Sequence, residues 1–152
     1  MIKILFVCHG NICRSPMAEF MMKKMVDESG ISGRFEIASA AVSREELGNP
    51  VYPPAAALLK AHGIDCRGKF ARQMTAGDYG YFDMLICMDD SNLRNMRRIT
   101  GGDPDGKMYR LLDFTSRPGE VSDPWYSGDF QRTWEDIDTG LRGLLAKLDK
   151  TV

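Results

Sequence analysis

The N-terminal stretch commits this chain to a particular kind of fold. Ile2-Lys3-Ile4-Leu5-Phe6-Val7 is β-branched and aromatic with one polar interruption, the pattern of a short buried strand. It runs straight into Cys8-His9-Gly10-Asn11-Ile12-Cys13-Arg14, and Ser15-Pro16 follows. That last pair predicts a helix with serine at the N-cap and proline at the first helical position, where a missing N–H costs nothing. A short loop between a strand and a helix N-terminus turns successive backbone N–H groups inward and adds the positive end of the helix dipole, which suits an oxyanion. The same field favours a thiolate, so Cys8 is expected to be a nucleophile beside an anion pocket.

The rest of the chain continues in the same style. Met17 to Glu28 is close to helical periodicity, and Phe35 to Val42 reads as a second strand. Pro53-Pro54 opens a helix that stops at His62-Gly63. Phe82 to Met88 is a third strand, a helix follows from Asn92 to Ile99, and Met108 to Leu112 is a fourth strand. Phe130, Trp134, Ile137, Leu141, Leu144, Leu145 and Leu148 step by three and four along one face of a final helix. Strands alternating with helices predict an α/β fold, a three-layer α/β/α arrangement around a four-stranded parallel sheet. Ligands in such sheets bind outside the carboxyl ends of the strands. Cys8, the neighbourhood of Ser39, and Asp89 all close or follow strands and are expected at that edge. No linker, repeat or low-complexity segment divides residues 1–152, so one domain is expected.

Composition narrows the functional classes. A net charge of −1 gives no general attraction to nucleic acid or to an anionic membrane. No apolar stretch reaches membrane-spanning length, and the four cysteines do not make a dense disulfide framework. A cytoplasmic protein is expected, with no nucleic-acid or membrane partner.

Arg14 gives the anion site a chemical direction. A guanidinium is planar and permanently charged, and it can grip two phosphoryl oxygens at once. The five residues between Cys8 and Arg14 let the loop curl so that both face one centre; Gly10 permits close backbone approach and Asn11 tolerates positive φ. Ser15 is placed to hydrogen-bond the sulfur. Departure of an alkoxide or phenolate calls for a proton donor, and Asp123-Pro124-Trp125-Tyr126 offers one. A carboxyl group beside apolar rings holds its proton more tightly, and the two aromatics suit the walls of an aryl pocket. Asp123-Pro124 also fits a simple turn. Cys66 and Cys87 read as structural, and His9 and His62 have no partner that marks them as acid–base groups.

The run Val7 to Glu19, together with Asp123-Pro124-Trp125-Tyr126, resembles the low-molecular-weight protein tyrosine phosphatases. The resemblance extends through Phe35 to Ala41, Ala71-Arg72-Gln73 and Cys87 to Leu93. It implies a phosphatase I-like fold and hydrolysis of phosphotyrosine and aryl phosphate monoesters. Cys8 would form a cysteinyl-phosphate, Arg14 would bind the phosphoryl oxygens, and Asp123 would act as general acid and then base. The loop His9, Gly10, Asn11, Ile12, Cys13, Arg14 and Ser15 would cradle phosphate, braced by Asn11, Ser15 and Ser39. Ile12, Trp125 and Tyr126 would line the substrate pocket. Cys13 matches the family's second cysteine, a redox partner for the nucleophile; as a residue that merely fills space it is equally consistent with the sequence. No metal or cofactor is called for, since loop N–H groups and Arg14 supply the charge stabilisation. Phosphotyrosine-containing proteins are the expected partners, inorganic phosphate and other oxyanions the expected inhibitors, and a monomer or weak dimer the expected state.

Three other chemistries use similar loops. Arsenate reduction relays oxidation through extra cysteines in a mobile segment, and Cys66 and Cys87 are not a close pair. A phosphocysteine carrier has no need of Arg14 combined with a proton-donating Asp123. Protein-arginine phosphatases of the same family carry threonine where this chain has Ile12, and an apolar Ile12 suits an aromatic phosphoester better than a phosphoguanidinium.

Overall fold

The apolar N-terminal run becomes β1 (Ile2–Cys8), an interior strand of a four-stranded sheet. The computed structural model describes residues 1–149. β2 (Phe35–Ala41) lies parallel to β1, with Ile2 opposite Phe35 and Cys8 opposite Ala41. β3 (Met84–Cys87) runs parallel along the other edge of β1, and β4 (Met108–Arg110) lies beyond it, giving the order β2-β1-β3-β4.

An all-parallel sheet needs both faces covered, and alternation along β1 supplies the two apolar sides. Ile4 and Phe6 point to one face, where Met17 of α1 (Arg14–Glu28), Leu59 of α2 (Pro53–Ala61) and Leu141 of α6 (Phe130–Asp149) meet them. Leu5 and Val7 point to the other face, packed with Met96 of α4 (Asp90–Thr100) and with Met74 and Phe82, which flank α3 (Ala76–Tyr81). All four of these β1 side chains are fully buried, each stabilising the fold by roughly 1.5–3 kcal/mol.

This topology also fixes where a ligand fits. The chain leaves β1 for β2 on one side and later returns to β3 on the other, so the loops after β1 and β3 diverge at the carboxyl edge and leave a crevice.

Several local expectations shift. α1 begins at Arg14, not at Pro16, and its N-cap is Cys13 with no side-chain cap. Ser15 does not cap: its hydroxyl turns inward, toward the sulfur of Cys8. The third strand is shorter than Phe82 to Met88. Phe82 N–H still bonds back to Asp78 in α3, and Asp83 accepts from the Lys3 N–H at 2.8 Å. The fourth strand stops at Arg110 because Leu111–Phe114 coils into a 3-10 turn. α3 was absent from the periodicity; a capping box of Thr75 and Asp78 starts it. In α6 the apolar stripe hides two close approaches. A Cβ on Gly140 would lie 2.5 Å from Leu111 Cγ, and one on Gly143 would lie 2.3 Å from the Phe114 carbonyl oxygen.

Candidate active site

Asn11 shapes the loop that follows β1. It is the one non-glycine residue among those described with positive φ, at 60°, a conformation that asparagine tolerates. With the chain turned there, the N–H groups of His9, Gly10, Asn11, Ile12 and Cys13 donate to no acceptor among the described residues. Unpartnered N–H groups in a loop that leads into a helix N-terminus suit an oxyanion.

The Asn11 side chain is fully used in holding that turn. Its Nδ2 donates to Ser15 Oγ at 2.7 Å and to Ser39 Oγ at 3.0 Å, and its Oδ1 accepts from the Arg72 N–H at 3.2 Å. Ser15 Oγ, which accepts from Asn11, lies 3.0 Å from Cys8 Sγ and 3.5 Å from the Ala40 carbonyl, so its proton has both the sulfur and that carbonyl as acceptors. The Ser15 backbone N–H also donates to that sulfur at 3.4 Å. The hydroxyl and the backbone N–H of Ser15 thus both contact the Cys8 sulfur.

Behind them lies a buried charge cluster that the sequence did not reveal. Ser39 Oγ donates to Glu19 Oε1 at 2.5 Å, and Glu19 pairs with Lys23 at 2.6 Å and Lys69 at 3.6 Å. Lys69 Nζ also donates to the Ser39 carbonyl at 2.9 Å. Burial lowers the Lys69 pKa despite the attraction of Glu19. The cluster anchors Ser39, and through it Asn11 and Ser15, with charge-assisted bonds from Glu19 of α1 and from Lys69.

Arg14 is held equally firmly. Nη1 donates to Asp89 Oδ2 at 2.9 Å and to the Val121 carbonyl at 3.2 Å, while Nη2 reaches Asp123 Oδ2 at 3.3 Å. Nε and the second Nη2 hydrogen have no partner among the described residues. No fully buried side-chain nitrogen or oxygen there lacks one, so this edge of the guanidinium faces the cleft. It is the edge that binds two oxygens side by side. Burial opposes the charge of Arg14, but Cys8, Asp123 and Asp89 outweigh it and raise its pKa above the ordinary arginine value. Asp89 itself is the N-cap of α4, accepting from the Asn92 N–H at 2.8 Å. Its position at the edge was readable from the sequence; its partnership with Arg14, 75 residues away, was not.

These groups open on a cleft of about 490 Å³. Ile12 and Cys13 line it, as do Asp123, Trp125 and Tyr126, with Glu45 and Glu46 on the far rim. His9 leans out of the loop to meet Glu45, 2.7 Å away. Asp123 accepts from the Trp125 N–H at 3.0 Å as the N-cap of α5 (Pro124–Ser127). Its carboxylate therefore faces Arg14 and a backbone donor, not an enclosing pair of rings. Trp125 and Tyr126 stand at the mouth, 56% and 87% exposed. A larger groove, about 610 Å³ between α1 and the start of β2, contains neither cysteine nor histidine.

Burial dominates the setting of the other thiols. Burial, with further repulsion from Cys8 and Asp123, pushes the Cys13 pKa up to about 12, and burial then Asp89 does the same to Cys87. Both stay protonated at neutral pH. Cys66 is buried away from the cleft, and His62 stacks on Trp134 at 3.8 Å. Among the described residues, no three or more His, Cys, Asp or Glu side chains are grouped to hold a metal ion, and no helix is long and apolar enough to cross a membrane.

Sequence comparison assigns the arrangement to a class. The model of the low molecular weight phosphotyrosine protein phosphatase family matches residues 3–152, and the chain belongs to that family of hydrolases. It is similar to the low molecular weight protein-tyrosine-phosphatase YfkJ of Bacillus subtilis, with 38% identity over 99% of this chain and 97% of the relative. The crystal structure of YfkJ superposes with a TM-score of 0.95, at 37% identity, covering 99% of this chain and 96% of that one. The Sus scrofa low molecular weight phosphotyrosine protein phosphatase is 46% identical over 95% of this chain and 94% of its own. A Drosophila arginine phosphatase structure is also similar, with a TM-score of 0.87 at 28% identity, covering 97% of this chain and 98% of that one.

Proposed function

We propose that this enzyme hydrolyses phosphotyrosine in proteins through a cysteinyl-phosphate formed on Cys8. The observation that carries the reading is the meeting at one cleft of the Cys8 sulfur with Ser15 against it, a loop whose N–H groups have no acceptor among the described residues, the open edge of Arg14 and the Asp123 carboxyl. The phosphoryl group sits in the loop with two oxygens on Arg14. The Cys8 thiolate attacks phosphorus, the bond to the tyrosyl oxygen breaks, and Asp123 gives that oxygen its proton. Asp123, now a carboxylate, takes a proton from water as the water attacks phosphorus. The P–S bond breaks, and inorganic phosphate leaves. The loop N–H groups and Arg14 hold the equatorial charge in both steps.

Inorganic phosphate fits the same loop and competes with substrate. A nucleophilic Cys8 works only while reduced, and a cytoplasmic location is the reading that this requirement supports. If a peroxide oxidises Cys8 to a sulfenic acid, Cys13 of the same loop is the thiol to condense with it as a disulfide, releasing water, a step slowed at neutral pH by the raised Cys13 pKa.

Ile12 lines the cleft and packs with Cys13, Ala71 and the ring of Tyr52. An apolar surface at that position favours an aryl group over a guanidinium. Steady-state kinetics on matched peptides check the choice: phosphotyrosine is expected to turn over at least about ten times faster than phosphoarginine, the scale of roughly 1.4 kcal/mol of pocket discrimination. Faster turnover of phosphoarginine would contradict it, and the acidic rim of Glu45 and Glu46 would then be the feature to explain it.

A further inference from the structure

Tyr52 lies outside the cleft, yet it touches both halves of the machinery around it. Its backbone N–H donates to the Ile12 carbonyl at 2.9 Å, which ties it to the phosphate-binding loop. Its ring packs against Trp125, with centroids 5.2 Å apart and a 56° tilt, and stacks on Phe130 at 6.1 Å and 25°. Tyr52 is not free to wander. It precedes Pro53-Pro54, which confines its backbone to the extended region, and it serves as N-cap of α2 at φ −56° and ψ 133°. Its hydroxyl makes no hydrogen bond among the described residues, so the ring acts by packing alone.

The segment bearing Asp123 needs such a prop. On its N-terminal side it is pinned by backbone and side-chain bonds: the Val121 N–H to the Met88 carbonyl at 2.9 Å, the Ser122 N–H to Asp136 at 3.0 Å, and the Thr133 hydroxyl to the Ser122 carbonyl at 2.8 Å. On its C-terminal side it enters α5, a single turn of four residues capped by Asp123 itself. Trp125 leads that turn into solvent, and the contact of its indole with Tyr52 is its one aromatic anchor among the described residues. The Trp125 backbone N–H is bonded to Asp123 Oδ1, so a backbone movement of this turn on release of the indole is passed to the carboxyl group.

We infer that Tyr52 is a positioning residue: its ring, fixed to the phosphate-binding loop through its own backbone, holds Trp125 and so sets where Asp123 meets the leaving oxygen. The inference rests on the reading of Asp123 as proton donor given above. Misplacement of a catalytic group by about 1 Å can cost on the order of 10²-fold, so removing a partial constraint is expected to cost about ten-fold.

The test uses kcat/KM for two substrates, phosphotyrosine and an aryl phosphate whose phenol is strongly acidic and leaves unaided. Tyr52→Ala keeps the backbone N–H and is expected to lose about ten-fold on phosphotyrosine but no more than about two-fold on the acidic phenol ester. Tyr52→Phe is expected to match the parent on both, because the hydroxyl has no partner. Inhibition by inorganic phosphate and the melting temperature report separately on the phosphate-binding loop and the fold; unchanged phosphate inhibition in Tyr52→Ala supports the assignment. In an Asp123→Ala background, Tyr52→Ala is expected to add no further leaving-group dependence. Equal losses on both substrates, no loss on either, weakened phosphate inhibition, or a Phe variant as impaired as Ala would overturn the role of Tyr52. If Asp123→Ala itself shows no leaving-group dependence, the proton-donor reading fails first, and that outcome is read from a different variant.

Discussion

Cys8→Ser is expected to abolish turnover, with kcat reduced about 10⁴-fold or more, while inorganic phosphate still binds within a few-fold of the parent. The magnitude follows from removing the nucleophile of a covalent mechanism, where little but positioning and charge stabilisation remains. A serine hydroxyl at this position has no strong base aimed at it. Ser15 approaches Cys8 as a hydroxyl and a backbone N–H, both suited to holding an anion on sulfur and neither able to take a proton from an alcohol at neutral pH. The loop N–H groups and the open edge of Arg14 are untouched by the exchange, and Cys8 is buried and small, so the fold should tolerate it. Kinetics and phosphate binding by calorimetry check both halves. Appreciable residual hydrolysis would remove Cys8 as nucleophile; loss of phosphate binding would mean that the sulfur organises the loop instead.

Asp123→Ala is expected to slow phosphotyrosine hydrolysis by about 10²–10⁴-fold, with progressively smaller losses as the leaving phenol becomes more acidic. Without a proton donor the enzyme must expel a phenolate, and the penalty tracks how poorly that anion bears its charge. In the proposed mechanism the variant also loses the group that activates water, so hydrolysis of the intermediate is expected to slow as well. A structural cost comes with the change. Asp123 caps α5 and touches Arg14 at 3.3 Å. Arg14 keeps Asp89 and the Val121 carbonyl, so the guanidinium should hold its place. A series of aryl phosphates measures the slope. A uniform loss across leaving groups would make Asp123 a loop-shaping residue.

What the sequence made legible was largely local. β1 and the loop after it were readable because an apolar run, a Gly-Asn pair and a Ser-Pro pair lie within a short span. Even there the helix start was misplaced. Ser15 has the chemistry of a cap, but in the folded chain its hydroxyl and N–H lie against the Cys8 sulfur, and α1 begins at Arg14 instead. The partnership of Arg14 with Asp89 and Val121, and the cluster of Glu19, Lys23 and Lys69 behind Ser39, join residues far apart in the chain. Only the β2-β1-β3-β4 order brings them together, and periodicity carries no trace of it. α3 is a different case. Its Thr75-Ala76-Gly77-Asp78 capping box was present in the sequence, but two glycines in six residues weaken any helical pattern. The setting of Asp123 was misjudged because adjacency in sequence to Trp125 and Tyr126 does not place their rings around its carboxyl group; both rings project to the mouth.

The most direct test of the account is to trap its intermediate. Asp123→Ala, mixed with an aryl phosphate that has a good leaving group, still loads the enzyme but unloads it slowly. Rapid quenching followed by peptide mass analysis is predicted to find one phosphoryl group on the peptide spanning the loop, attached to Cys8. Phosphate on any other residue, or phenol released in a burst with no phosphorylated cysteine, would contradict it.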